Sequence, residues 1–197
     1  MLMLPVYLVD DDESVLDSLA FLLEELGYVT ACFSSGPDFL AQAILEKPGC
    51  VVLDSRMPLM RGQYVHQQLK LQNSPLGIVY LTGHGDVPMA VEALHQGAVD
   101  FLQKPVDSEK LSLAIDKAHQ YSVQAEARAK VQYAYESLTE REKDILSRVV
   151  KGAKNQVIAD DLCIAVRTVE VHRSNLMKKF ATKSIAELGM YYSQIFF

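Results

Sequence analysis

Over the first 120 residues, short apolar runs alternate with stretches whose apolar positions recur at helical spacing. Residues 6–9 form a run that ends in three acids, Asp10, Asp11 and Asp12. Leu16, Leu19, Ala20, Leu23 and Leu26 follow as one helical stripe, and Gly27 stops that helix. The pattern then predicts a strand over 28–33, a short helix over 37–45, a buried strand over 50–53 ending at Asp54, and a helix over 65–71. A fourth strand over 77–81 ends at Thr82, a helix over 88–95 is closed by Gly97, a fifth strand over 99–102 leads into Lys104-Pro105, and a helix covers 108–119. Strand–helix alternation with continuously apolar strands predicts an α/β fold, a five-stranded parallel sheet doubly wound by helices on both faces.

Beyond residue 119 the pattern changes. Residues 120–136 are rich in Ala, Gln and charge and hold no Pro or Gly. They read as a linker, either a helix prolonging 108–119 or a solvated flexible segment. Residues 137–197 read as all helical. Thr139 with Glu142 fits a capping box for a helix to about Val150, and Gly152 ends it. Further helices are predicted over 155–162, 167–180 and 184–193, with 163–166 a tight turn and Ser184 an N-cap. The domains are therefore 1–119, a linker 120–136, and a four-helix domain 137–197.

Charge separates the same regions. The chain carries −6 overall, but residues 1–120 hold 16 Asp/Glu against 7 Lys/Arg, while 145–183 hold 3 against 8. A basic stretch on an acidic protein suggests a nucleic-acid partner for that stretch, with a solvated charged face as the alternative. Three cysteines without paired spacing argue against a disulfide framework or zinc site and fit a reducing cytoplasm. His84 and the other four histidines show no metal spacing either. The apolar opening is short, lacks a basic leader and ends in acids, so it reads as a first strand and not a signal peptide. No apolar run approaches the ~20 residues of a membrane span.

In open parallel sheets, sites form beyond the carboxyl ends of the strands. Asp10–Asp12, Asp54, Thr82 and Lys104 all stand at such ends, so the fold predicts that they converge. Crowded carboxylates call for raised pKa values, a cation, or both. Hard oxygen ligands suit Mg²⁺. A carboxylate can attack phosphorus if charge on the transferring group is neutralised. Thr82 can donate to a phosphoryl oxygen and Lys104 can neutralise another, while Pro105 allows a cis bond that aims the lysine. Taken singly, each residue is equally a turn or cap residue; the case rests on the set ending four strands in order.

With those residues, 4–120 resembles the flavodoxin-like receiver domain of two-component response regulators. DSRMPLMRG (54–62) is similar to the loop around the phosphorylated aspartate, and TGHGDVPMAVEALHQGAVDFLQKPV (82–106) to the FixJ branch. The resemblance implies that Asp54 accepts phosphate from a sensor histidine kinase. Asp11, Asp54 and the backbone carbonyl of Arg56 would bind Mg²⁺, Asp10 would help through water, and Asp12 is a weaker candidate. Thr82 and Lys104 would act with Asp54 in the transfer. Thr82 and Phe101 match a switch pair in which the hydroxyl moves toward phosphate and the ring turns inward; Phe101 is equally a plain core aromatic. Residues 88–119 match a face that forms homodimers on phosphorylation.

On the helix 167–180, Val169, His172, Leu176 and Phe180 recur at core spacing, and Arg167, Glu170, Val171, Ser174 and Lys178 fall on the other side. Spacing alone is satisfied by an ordinary amphipathic helix. The run LTEREKDILSRVVKGAKNQVIADDL…IAVRTVEVHRSNLMKKF (138–180) resembles the LuxR-type helix-turn-helix of the NarL/FixJ family. It implies that 155–162 is the scaffold helix and 167–180 enters the major groove of double-stranded promoter DNA. Lys154, Asn155, Arg167, Thr168, Arg173, Lys178 and Lys179 would contact phosphates, and Glu170, Val171 and Ser174 would read base edges. Ala165-Val166 stands where the family often has Ser-Pro, a lost cap of ~1 kcal/mol. FLLEELGY (21–28), DFLAQA (38–43), DFLQKPV (100–106) and IAVRTVEVHR (164–173) resemble, within that family, regulators of tetrathionate respiration.

The expectation is a phosphorylation-gated transcription regulator, not an enzyme, with RNA polymerase as a further partner and no membrane association. The rivals are an Asp-nucleophile phosphotransferase and a phosphorylation-responsive protein-interaction module. Arg56 stands where the first would need an acid/base aspartate, and the basic stretch favours DNA over the second.

Overall fold

The computed structural model describes residues 4–83 and 87–196; His84 lies outside them. The chain divides into two compact units, Met1–Glu126 and Ala127–Phe197.

In the first unit, strands β1 (Pro5–Val9), β2 (Val29–Phe33), β3 (Cys50–Leu53), β4 (Gly77–Thr82) and β5 (Asp100–Gln103) alternate with helices α1 (Glu13–Glu25), α2 (Gly36–Gln42), α3 (Gly62–Leu71), α4 (Val87–His95) and α5 (Ser108–Glu136), whose residues from Ala127 on belong to the second unit. The sheet order is β2-β1-β3-β4-β5, and every pairing is parallel. Because side chains alternate across a strand, β1, β3 and β4 feed two cores. Tyr7, Val9, Val51, Leu53, Ile78 and Tyr80 pack with Phe39, Val65, Leu69 and Ala93 of α2–α4. Val6, Leu8, Val52, Val79 and Leu81 pack with Leu16, Leu19 and Leu23 of α1 and Leu111, Ile115 and Ala118 of α5. The inner strands β1, β3 and β4 of this doubly wound α/β unit are buried on both faces, which is why they read as unbroken apolar runs, while β2 and β5 at the edges are only partly buried.

Local chemistry sets the ends. Asp12 caps α1, its side chain accepting from the Ser14 amide at 2.9 Å. This occupies the third acid of the run. Gly27 follows α1 with φ +86°, a conformation glycine adopts without steric cost. The predicted helix 37–45 ends earlier, at Gln42, where Ala43 turns extended and Leu45 is buried instead. α5 is one 29-residue helix, so residues 120–136 are helical.

In the second unit, α6 (Glu140–Val150), α7 (Asn155–Asp161), α8 (Val166–Lys179) and α9 (Ile185–Phe196) enclose a core of Ile145, Leu146, Val149, Ile158, Val169, Leu176, Phe180 and Leu188. Both halves of the Thr139–Glu142 capping box are formed. The three cysteines are unpaired. Among the described residues no helix is long and apolar enough to cross a membrane.

Candidate functional site

β1 and β3 lie side by side with Val9 opposite Leu53, so the residues that follow them emerge together. These are Asp10 and Asp54, only 5% and 6% exposed. The Asp54 amide donates to the Val9 carbonyl at 2.9 Å, fixing that exit. Lys104 follows β5, and its amide donates to the Thr82 carbonyl at 2.9 Å. The Lys104–Pro105 peptide is cis. The Lys104 ammonium hydrogen-bonds Asp10 Oδ2 and stands 3.4 Å from Asp54 Oδ1. Asp54 Oδ2 accepts from the Arg56 amide at 2.7 Å. α3 begins directly over this turn: a Cβ on Gly62 would collide with the Asp54 carbonyl oxygen and crowd Ser55 Cα, so the approach requires glycine. Thr82 is buried, and its Oγ1 accepts a hydrogen bond from the Ser55 hydroxyl at 2.8 Å. Asp11 is exposed. It lines a cleft of about 500 Å³ with Ser55, Arg56, Met57, Pro58 and Arg61.

The four strand ends thus meet in one place, as the topology requires. Burial pushes the Asp10 carboxyl above the usual carboxylate range, and the nearby Asp54 charge adds to this; Lys104 offsets it only in part. Burial works against the Lys104 charge, but Asp10 and Asp54 outweigh it and hold the ammonium above the ordinary lysine value. One ammonium faces two buried carboxylates, and the exposed Asp11 follows the first of them in the chain. Phe101, opposite Tyr80 in the sheet, is half-buried with its ring centroid 6.1 Å from that of Tyr80.

On α8, Val169, Leu176 and Phe180 are buried and His172 is partly so. Arg167, Thr168, Glu170, Val171, Ser174 and Lys178 are exposed, and so is Lys154 at the start of α7. Arg167 pairs with Glu170 at 3.1 Å. Three more predicted contact residues, Asn155, Arg173 and Lys179, have partners inside the unit. Arg173, half-buried, donates to Asn155 Oδ1 at 2.9 Å, tying α8 to the first residue of α7. Lys179 pairs with the buried Glu142 carboxylate at 2.7 Å and donates to the Ser137 carbonyl. Ala165 caps α8 without a side-chain hydrogen bond, as its sequence suggested.

Comparison with known proteins gives this arrangement a family. Residues 6–116 match the response regulator receiver domain, and residues 136–192 match the bacterial regulatory proteins of the luxR family. The chain belongs to the response regulators. It is 50% identical to the tetrathionate response regulatory protein TtrR of Salmonella typhimurium, over 94% of this chain and 90% of that protein. It resembles the solved response regulator StyR with a TM-score of 0.71 and 37% identity, over 96% of this chain and 98% of the other. Full-length FixJ from B. japonicum matches with a TM-score of 0.58 and 38% identity, covering 96% of each.

A receiver joined to a LuxR-type domain makes this response regulator a two-component transcriptional regulator, and the family is not one of enzymes. Receiver domains bind Mg²⁺. The residues here fit that ion in donor type: hard carboxylate oxygens of Asp10, Asp11 and Asp54, two of them buried beside Lys104. As they stand, no three His, Cys, Asp or Glu side chains among the described residues form a ready-made ligand group. Sequence reasoning passed over Ser55 and read His66 only among histidines that are surface or packing residues. Both are buried polar residues, Ser55 following an apolar strand and His66 on the apolar stripe of α3. A polar residue inside such a pattern was the available signal.

Proposed function

We propose that Asp54 is phosphorylated by a sensor histidine kinase and that the phosphorylated chain dimerises and binds promoter DNA. Residues 1–119 would be the phosphoacceptor domain, 120–136 a helical linker within α5, and 137–197 the DNA-binding domain, acting in the cytoplasm. The observation that carries this reading is the buried Asp54 carboxylate, 3.4 Å from the Lys104 ammonium and next to Asp10.

In the transfer, an Asp54 oxygen attacks the phosphorus of a phosphohistidine. The P–N bond breaks and the imidazole nitrogen leaves with the electron pair. Lys104 faces negative charge on the phosphoryl oxygens, and Thr82 donates to one of them. Mg²⁺ held by Asp11, Asp54 and the Arg56 carbonyl, with Asp10 acting through water, would neutralise the remaining charge. Thr82 and Phe101 would carry the change to the α4–β5–α5 face, which would pair with a second copy. Two linked DNA-binding domains then gain from effective concentration on paired half-sites, with RNA polymerase as a further partner. Lys154, Asn155, Arg167, Thr168, Arg173 and Lys178 are assigned to phosphates, Lys179 to bracing Glu142, and Glu170, Val171 and Ser174 to base edges. The likeness to a tetrathionate response regulatory protein supports tetrathionate-respiration genes as the target.

The test is labelling by acetyl phosphate with Mg²⁺. Wild type should gain hydroxylamine-sensitive phosphate, Asp54→Ala none, and Asp11→Asn much less. Labelling of Asp54→Ala at the wild-type level would sink the assignment. Mapping of bound sites with and without tetrathionate tests the target genes.

A further inference from the structure

Ser55 follows the proposed phosphoacceptor directly. It is 0% exposed, and its carbonyl accepts from the Gly62 amide at 3.2 Å, with α3 starting against it. Its backbone is therefore held. Its hydroxyl donates to Thr82 Oγ1 at 2.8 Å, from the turn after β3 to the end of β4. A buried donor that loses its acceptor is left without water to replace it, and that cost exceeds the worth of the bond itself. Any rotation of Thr82 toward Asp54 puts this bond at risk.

From this geometry we infer that Ser55 is a positioning residue that holds Thr82 in its resting orientation and so sets how strongly an anion on Asp54 must pull to move it. The inference rests on the reading of Asp54 as phosphoacceptor. The Ser55–Thr82 hydrogen bond is then made in the resting form and given up in the activated one. The hydroxyl of Ser55 acts on the equilibrium between them and not on the bond-making step, because it faces Thr82.

The experiment is a titration of the full chain with beryllofluoride and Mg²⁺, followed by the amide resonances of Thr82 and Phe101. Ser55→Ala should lower the concentration that half-converts the protein by about fivefold, the worth of one neutral hydrogen bond. Ser55→Cys, with a weaker donor of similar size, should fall between the two. In a Thr82→Val background, Ser55→Ala should change nothing, which a merely structural role for Ser55 would not produce. An unchanged or raised midpoint in Ser55→Ala and Ser55→Cys, with wild type responding, overturns the positioning role and leaves the phosphoacceptor reading intact. A wild type that does not respond overturns both.

Discussion

In the first unit the side chains at issue are kept from water: Asp10, Asp54, Ser55 and Thr82 are buried, and each carboxylate or hydroxyl already has a partner. On α8 the reverse holds. Arg167, Glu170, Val171, Ser174 and Lys178 stand in solvent. The first arrangement concentrates electrostatics in a low-dielectric cleft, where one added charge shifts every neighbour. The second leaves its groups hydrated and screened until a polyanion displaces the counterions. A site that must sense one phosphoryl group needs the former, and a surface that must find a long polymer needs the latter. Charge count alone does not separate the two; burial does.

The comparison breaks most readily at Lys104. Lys104→Met leaves Asp10 and Asp54 facing each other without their ammonium. Urea unfolding without divalent ions should show a loss of about 3 kcal/mol, and added Mg²⁺ should restore part of it. A variant as stable as wild type in both conditions would mean that the cleft is not electrostatically tense.

His66 sharpens the contrast next. It is 2% exposed, contacts the Tyr80 hydroxyl at 3.3 Å, and burial lowers its pKa to about 4. The unfolded chain binds this proton near the ordinary value of about 6.5, so acidification between the two favours unfolding. The stabilisation is complete above that ordinary value and falls by up to roughly 3 kcal/mol as pH drops to about 4. Urea midpoints across this range should decline in wild type and much less in His66→Gln.

The smallest effects separate neighbours on α8. Lys179→Ala removes the partner of buried Glu142 and should cost about 2 kcal/mol in the stability of the second unit. Lys178→Ala should leave stability unchanged, weaken binding to all duplexes, and flatten the salt dependence by about one unit. If the two variants behave alike in both assays, the division between brace and contact fails.

Strand and helix identity was legible where one pattern dominated. Residues 50–53 are apolar without interruption, and β3 occupies them and no more. The convergence of Asp10, Asp54, Thr82 and Lys104 followed from topology once parallel strands were assumed. What stayed illegible depended on partners distant in sequence. Nothing near Lys179 announces Glu142, 37 residues away, as its partner. Nothing near Arg173 announces Asn155. The 120–136 segment stayed open because its Ala- and charge-rich composition suits a solvated helix and a solvated coil alike. The end of α2 was misplaced because Ile44 and Leu45 continue the apolar pattern while the chain has already left the helix.

The order of strands also distributes compliance. Asp10 and Asp54 follow β1 and β3, each hydrogen-bonded to neighbours on both sides, whereas Phe101 lies on β5 at the rim, with one neighbour, and Lys104 follows it. An interior strand cannot shift without disturbing two ladders, while a rim strand disturbs one. The proposed phosphoacceptor is therefore seated where the sheet is paired on both sides, and Phe101 and Lys104 hang on its rim. Motion has an uphill and a downhill direction here: outward, toward β5, the sheet yields, and inward, toward the seat of the chemistry, it does not.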